Sequence, residues 1–121
     1  MPAHWSLPAD HSAAGFARRH VGDELARWPN VDDIELVASE LTSNAVQHGG
    51  SPIDLALELI GSRVRLTVSS AAGISEPALR HASTEDAHGR GLALVNALAD
   101  RWGWTKSGGR VSVWADFTPS I

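Results

Sequence analysis

Between Ile53 and Val68 the chain alternates strictly. Ile53, Leu55, Leu57 and Leu59 are interleaved with Asp54, Ala56 and Glu58, and after Gly61-Ser62 the residues Val64, Leu66 and Val68 are interleaved with Arg63, Arg65 and Thr67. A period of two puts alternate side chains on opposite faces of a strand. Gly at the first central position suits a two-residue type II′ turn, so the segment predicts a β-hairpin with one apolar and one polar face. A hairpin cannot bury such a face by itself; a covering layer must come from elsewhere in the chain.

Helices supply that layer. From Asp10, an N-cap candidate, Ala13, Phe16, Ala17, Val21, Leu25 and Trp28 follow at three- and four-residue steps until Pro29-Asn30, which predicts an amphipathic helix. Asp32 stands three residues before Glu35, a start resembling a capping box, and Ile34, Val37, Ala38, Leu41 and Ala45 form the apolar stripe of a second helix. That helix is expected to run to about His48, with Gly49 as a natural C′ residue. Leu92, Val95, Leu98, Ala99 and Trp102 form a third stripe, stopped at Gly103. Trp104–Lys106 and Arg110–Phe117 then predict a closing hairpin around Ser107-Gly108-Gly109. Residues 1–9 read as an extended lead-in whose Trp5 and Leu7 alternate onto the sheet. The fold class that follows is α+β, a two-layer sandwich with helices packed on one face of a mixed, largely antiparallel sheet. The 121 residues suffice for one domain, 1–121, with one core. Residues 71–88 show no period and are expected to form a lid-like loop.

Composition narrows the classes of function. A net charge of -4 argues against general nucleic-acid binding, which rests on a basic surface. No apolar run reaches the roughly 20 residues of a membrane span. Met1–Asp10 lacks the basic-then-apolar order of a secretory signal and the chain has no cysteine, so a cytoplasmic location is the expectation. The partners expected are proteins and small molecules.

The chemistry concentrates in Glu40-Leu-Thr-Ser-Asn44-Ala-Val-Gln-His48-Gly49-Gly50. Side chains four apart on a helix share a face, so Glu40 and Asn44 can address one small object such as a hydrated metal ion. A Glu and an Asn at this spacing are commonly just solvated. Here, however, both fall along the edge of the apolar stripe, where a half-buried carboxylate is costly unless something compensates it. Further on, Gly89-Arg90-Gly91-Leu92 opens the third helix, and glycines there let backbone N–H groups approach an anion. Gly-x-Gly is a weak pattern on its own, a plain tight turn being at least as common. His48 at the helix end has local hydrogen bonding as its simpler role. Trp102, Trp104 and Trp114 fill either the core or a dimer face.

Together these motifs resemble the GHKL, or Bergerat-fold, histidine-kinase-like ATPases, in the branch of bacterial anti-sigma factors that are also serine kinases. Glu40-x-x-x-Asn44-Ala45-x-x-His48-Gly49 resembles their N-box. Gly89-Arg90-Gly91-Leu92-x-Leu94-Val95 resembles their second glycine box, and Gly108-Gly109-Arg110-Val111-x-Val113-Trp114 their closing hairpin. The resemblance runs from about Ala14 to Phe117. It implies ATP or another nucleotide with Mg²⁺, Asn44 as the metal ligand and Glu40 as general base for an attacking hydroxyl. It also implies nucleotide contacts from His48, Gly89, Arg90, Gly91 and Leu92, and residues 71–88 as the lid. The partners implied are a sigma factor and an anti-sigma antagonist, with a homodimer as a further expectation because relatives often dimerise.

One departure stands against these matches. Where the family has an Asp after the hydrophobic strand to receive the adenine amino group, this chain has Ser70, within Leu66-Thr67-Val68-Ser69-Ser70-Ala71-Ala72-Gly73; Ser70 and Gly73 are the nucleotide-contact candidates of this first glycine box. A hydroxyl lacks the charge that roughly doubles such a hydrogen bond. Losing it should cost adenine binding about 1.5–3 kcal/mol, or ten- to a hundred-fold. Two readings stay open: a regulatory serine kinase of the anti-sigma type with weakened ATP binding, or a non-catalytic module with altered or lost base specificity that acts by protein–protein interaction.

Overall fold

A computed structural model describes residues 2–71 and 87–119, with 87–92 described through their backbone alone. Strand β1 (Pro2–Leu7) precedes helices α1 (Ala13–Glu24) and α2 (Val31–His48). Strands β2 (Gly50–Ile60) and β3 (Arg63–Ala71) follow, then helix α3 (Ala87–Leu98) and strands β4 (Arg101–Ser107) and β5 (Arg110–Phe117). The strands form one sheet in the order β1-β2-β3-β5-β4, and all four pairings are antiparallel. The helices cover one of its faces, giving the α+β sandwich that the alternating hairpin demanded.

The alternation explains the layering residue by residue. Ile53, Leu55 and Leu57 of β2, and Val64, Leu66 and Val68 of β3, point to the helices and are almost wholly buried. Leu57 pairs with Leu66 across a turn in which Gly61 has φ +65. Among the described residues none other than glycine has positive φ, so only the first central position of that turn is left-handed, as type II′ requires. The core continues through Ala17 and Val21 of α1, Ile34, Val37 and Leu41 of α2, and Ala115 and Phe117 of β5. The lead-in is a full strand: Trp5 pairs with Leu55 and stacks on His20 of α1 at 4.7 Å.

Several boundaries differ from the sequence expectation, each for a physical reason. α1 begins at Ala13, and Asp10 accepts the N–H of Ser12 at 2.8 Å and its Oγ at 2.5 Å instead of capping the helix directly. Phe16 lies 39% exposed under the Arg19 guanidinium and is not part of the core. α2 begins at Val31, so Asp32 is not its cap; Asp32 and Asp33 sit in the first turn, where carboxylates favour the positive end of the helix dipole. α3 ends at Leu98 and Arg101 already belongs to β4, so Trp102 is a strand residue opposite Ala115. The Asp100 N–H bonds to the Asp116 carbonyl at 2.9 Å, which turns the chain into the sheet. Gly103 is required by its neighbour: a Cβ there would lie 2.8 Å from Trp114 Cζ2. α3 also starts at Ala87, which places Gly89 and Gly91 inside the helix instead of just before it.

Candidate functional site

The C-terminal half of α2 carries the candidate site, and the apolar stripe of that helix aims it. Burial of Ile34, Val37, Ala38 and Leu41 fixes the rotation of the helix. Glu40 and Asn44 are thereby held half-buried along its edge. Both line a groove of about 310 Å³, together with Ser43, Val46 and Gln47. Its opposite wall comes from the start of α1, through Asp10, His11 and Ala14. The bonds from Ser12 hold the Asp10 carboxyl below the usual carboxylate range, so this wall is anionic at neutral pH. The sequence motifs did not point to this second wall, because it lies some 30 residues away and is joined to α2 only by helix packing.

At the end of α2 the helix meets β3. Gly49 has φ -117 and ψ -145, so it is not the left-handed C′ residue expected from sequence. Its lack of a side chain serves a close approach instead. A Cβ at Gly49 would overlap Ser70 Oγ, lie 2.8 Å from the Ala71 carbonyl oxygen and 3.0 Å from that of Ala45. Ser70 faces the helices and is only 5% exposed. Ser70 is therefore packed against the C-terminus of α2. His48 is half-buried in the last turn of α2.

α3 packs against α2, which brings the backbone of Gly89, Arg90, Gly91 and Leu92 onto the helix beside the one that carries Glu40 and Asn44. Gly73 and most of the lid-like loop, 72–86, lie outside the described residues. Among the described residues no cluster of three or more His, Cys, Asp or Glu side chains could enclose a metal ion. The oxygen donors of Glu40 and Asn44 suit hard Mg²⁺, which is commonly held by one or two protein groups while substrate phosphates and water complete its shell.

A second polar constellation, on the uncovered face of the sheet, went unnoticed in the sequence. Asp116 is fully buried, and Arg65 grips it bidentately, Nε to Oδ1 at 2.7 Å and an NH2 group to Oδ2 at 2.9 Å. Arg101 Nε donates to Oδ2 at 3.0 Å, and Arg63 Nε stands 3.5 Å away. The Arg65 hydrogen bonds, opposed by burial and reinforced by Arg101, hold the Asp116 carboxyl below its ordinary range. These residues come from three strands and meet only through the β3–β5–β4 order.

The sequence matches the description of a histidine kinase-like ATPase domain over residues 3–116. The chain belongs to the histidine kinase-like ATPase family. Solved structures share the fold of this ATPase-like domain. The RsbU and RsbW domains of Rv1364c from Mycobacterium tuberculosis match with a TM-score of 0.74 at 24% identity, over 98% of this chain and 32% of that one. The catalytic domain of histidine kinase ThkA matches at 0.63 and 13% identity, over 98% and 96% of the two chains. A blue-light activated histidine kinase from Erythrobacter litoralis matches at 0.59 and 20%, over 93% and 61%. The domain thus spans about a third of the Mycobacterium chain. Identities this low establish the fold and nothing finer. Comparison with curated proteins finds no significant match. Among the described residues no helix is long and apolar enough to cross a membrane.

Proposed function

We propose that this domain is a regulator of the anti-sigma type that binds a nucleotide with Mg²⁺ and controls a protein partner, a sigma factor or its antagonist. The observation that carries this reading is the placement of Glu40 and Asn44 one turn apart on the edge of a single groove. Asn44 offers an oxygen to Mg²⁺, and the ion when bound draws phosphate charge to that end of α2. Glu40, half-buried and beside the groove, is the group to accept the proton of an attacking serine hydroxyl. In that transfer the terminal phosphoryl group passes to the serine oxygen and a nucleoside diphosphate leaves. The anti-sigma character rests on the motif resemblance to that branch, and the nucleotide on the family match over residues 3–116.

The burial of Ser70 favours a second reading of the base. With no carboxylate at this position, the pocket lacks the charged acceptor for an adenine amino group, and a hydroxyl can donate to a carbonyl as well as accept. On this reading the domain takes a non-adenine nucleotide or none, and works by contact with its partner without phosphorylating it. Calorimetric titration with purine, pyrimidine and sugar nucleotides, each with and without Mg²⁺, separates the two. Mg²⁺-dependent binding of ATP supports the kinase reading. Binding confined to another base supports the second, and no binding by any nucleotide removes the nucleotide-dependent function. Ser70→Asp should raise ATP affinity; an unchanged affinity would mean that the base is not read at this position. Partner capture with Glu40→Ala completes the distinction, because a pure binding module keeps both partner and effect.

A further inference from the structure

The sheet has a face that no described element covers, and its charge is uneven. At one end Asp54 and Arg110 pair at 2.9 Å, and the hydroxyls of Ser69 and Ser112 bond to each other at 2.8 Å, so this part is satisfied internally. At the β3–β5–β4 end three guanidiniums, Arg63, Arg65 and Arg101, gather on the single carboxylate of Asp116. Among the described residues, the exposed Glu58 lies opposite Arg65 in the register, and the carboxylate of Asp100, next to Arg101, is taken up by the N–H and hydroxyl of Thr118. Positive charge is left in excess there, on a chain whose net charge is -4. Arg65 lies 4.3 Å over the Trp114 ring and Arg101 5.9 Å from it.

From this juxtaposition we propose that the open β3–β5–β4 face docks an acidic segment of a partner protein, with Arg63, Arg101 and Trp114 as its anchors. Asp116 acts as an organiser: it takes the Nε groups of Arg65 and Arg101 and leaves the outer N–H groups of the guanidiniums pointing away from the carboxylate. Arg101 is 56% exposed and Arg63 36%, so those donors reach solvent. Arginine forks match carboxylates, and Trp and Arg are the residue types that dominate binding hot spots. The bidentate bond and the ring beneath Arg65 hold the cluster in place before a partner arrives, which lowers the ordering cost of association.

The alternatives fit less well. A second copy packed face to face would have to offer this cluster an acidic patch of the same face, where Asp54 is already paired with Arg110. A nucleic acid is held by many Lys and Arg contacts tracking its phosphates, whereas this face gathers three arginines. Small ligands prefer concave sites, whereas these guanidiniums stand on an open sheet. This surface lies across the sheet from the α2 groove, so the proposal does not depend on nucleotide binding.

The test titrates the full chain with a fluorescein-labelled decaglutamate peptide, followed by anisotropy, with inorganic phosphate as competitor. Arg63→Glu with Arg101→Glu should weaken binding about ten-fold or more, while Arg19→Glu with Arg27→Glu, an equal charge change at two exposed residues of α1 and the turn after it, should not. Binding should weaken as salt rises. A loss below about two-fold in the Arg63→Glu/Arg101→Glu variant, or an equal loss in the Arg19→Glu/Arg27→Glu control, overturns the proposal. So does competition by inorganic phosphate as strong as by unlabelled peptide, or a wild-type dimer in light scattering that the double variant abolishes. If the double variant does not fold, the indole N–H resonance of Trp114 in the unmodified protein decides. It should shift on peptide addition, and its failure to shift overturns the assignment.

Discussion

Gly49→Ala isolates the contact that ties the candidate site to the sheet. The backbone at Gly49 has a negative φ of -117, so the substitution introduces no left-handed strain. In the unfolded chain alanine is the less flexible residue, which by itself would stabilise the protein by about 0.4–1 kcal/mol. Opposing this, the new methyl would overlap Ser70 Oγ and lie 2.8 Å from the Ala71 carbonyl oxygen. The hydroxyl can rotate away but the carbonyl is fixed in the β3 ladder, so part of the clash cannot relax. Overpacking of this kind costs about 1–3 kcal/mol, and the net expectation is a destabilisation of about 1–2 kcal/mol. Urea unfolding of Gly49→Ala, Ser70→Gly and the double variant measures it. Removing Oγ should recover only part of the loss, because the Ala71 and Ala45 oxygens remain. Full recovery in the double variant, or a Gly49→Ala protein as stable as the parent, would refute the reasoning.

Two further expectations concern the uncovered face. Asp116→Ala leaves three guanidiniums without their carboxylate and should cost about 3 kcal/mol, near the low end for a broken buried pair because Arg63 and Arg101 can turn to water; denaturant unfolding reads it. Because the folded Asp116 carboxyl is held below its ordinary range by Arg65, its contribution is complete above about pH 4 and is lost as pH falls from there toward the folded value. Acid unfolding of Asp116→Ala should therefore lack that part of the slope. Gly103→Ala would drive a methyl to within 2.8 Å of the Trp114 ring. Arg65 stacks on that ring, so a loss of about 1–3 kcal/mol is expected, again read by urea unfolding.

Much of this architecture is legible in the sequence because it depends on local period. The β2–β3 hairpin follows from alternation and a Gly-Ser turn, and α2 follows from its stripe; the half-burial of Glu40 and Asn44 follows from their angle to that stripe. What escaped the sequence depends on contacts between distant segments. Trp102 continues the helical spacing of Val95, Leu98 and Ala99, yet the sheet claims it, because β5 offers a full antiparallel partner and Gly103 makes room for Trp114. Gly49 carries the usual mark of a left-handed cap, while its true constraint is β3 lying against it. The arginine cluster could not be seen before the strand order was known, and the Asp10–His11 wall of the groove could not be seen before α1 was docked on α2. Local pattern thus marks the candidate residues Glu40 and Asn44 but not the surfaces that enclose them.

We propose that a nucleotide-bound divalent ion sits at Asn44, one helical turn from Glu40. Replacing Mg²⁺ by paramagnetic Mn²⁺ in the presence of the nucleotide that binds best, and recording amide spectra, tests it directly. Broadening centred on α2 around Asn44 is expected, with the signals of the open sheet face sharp, and it should be lost in Asn44→Ala. Broadening centred elsewhere, or unchanged in Asn44→Ala, would contradict it.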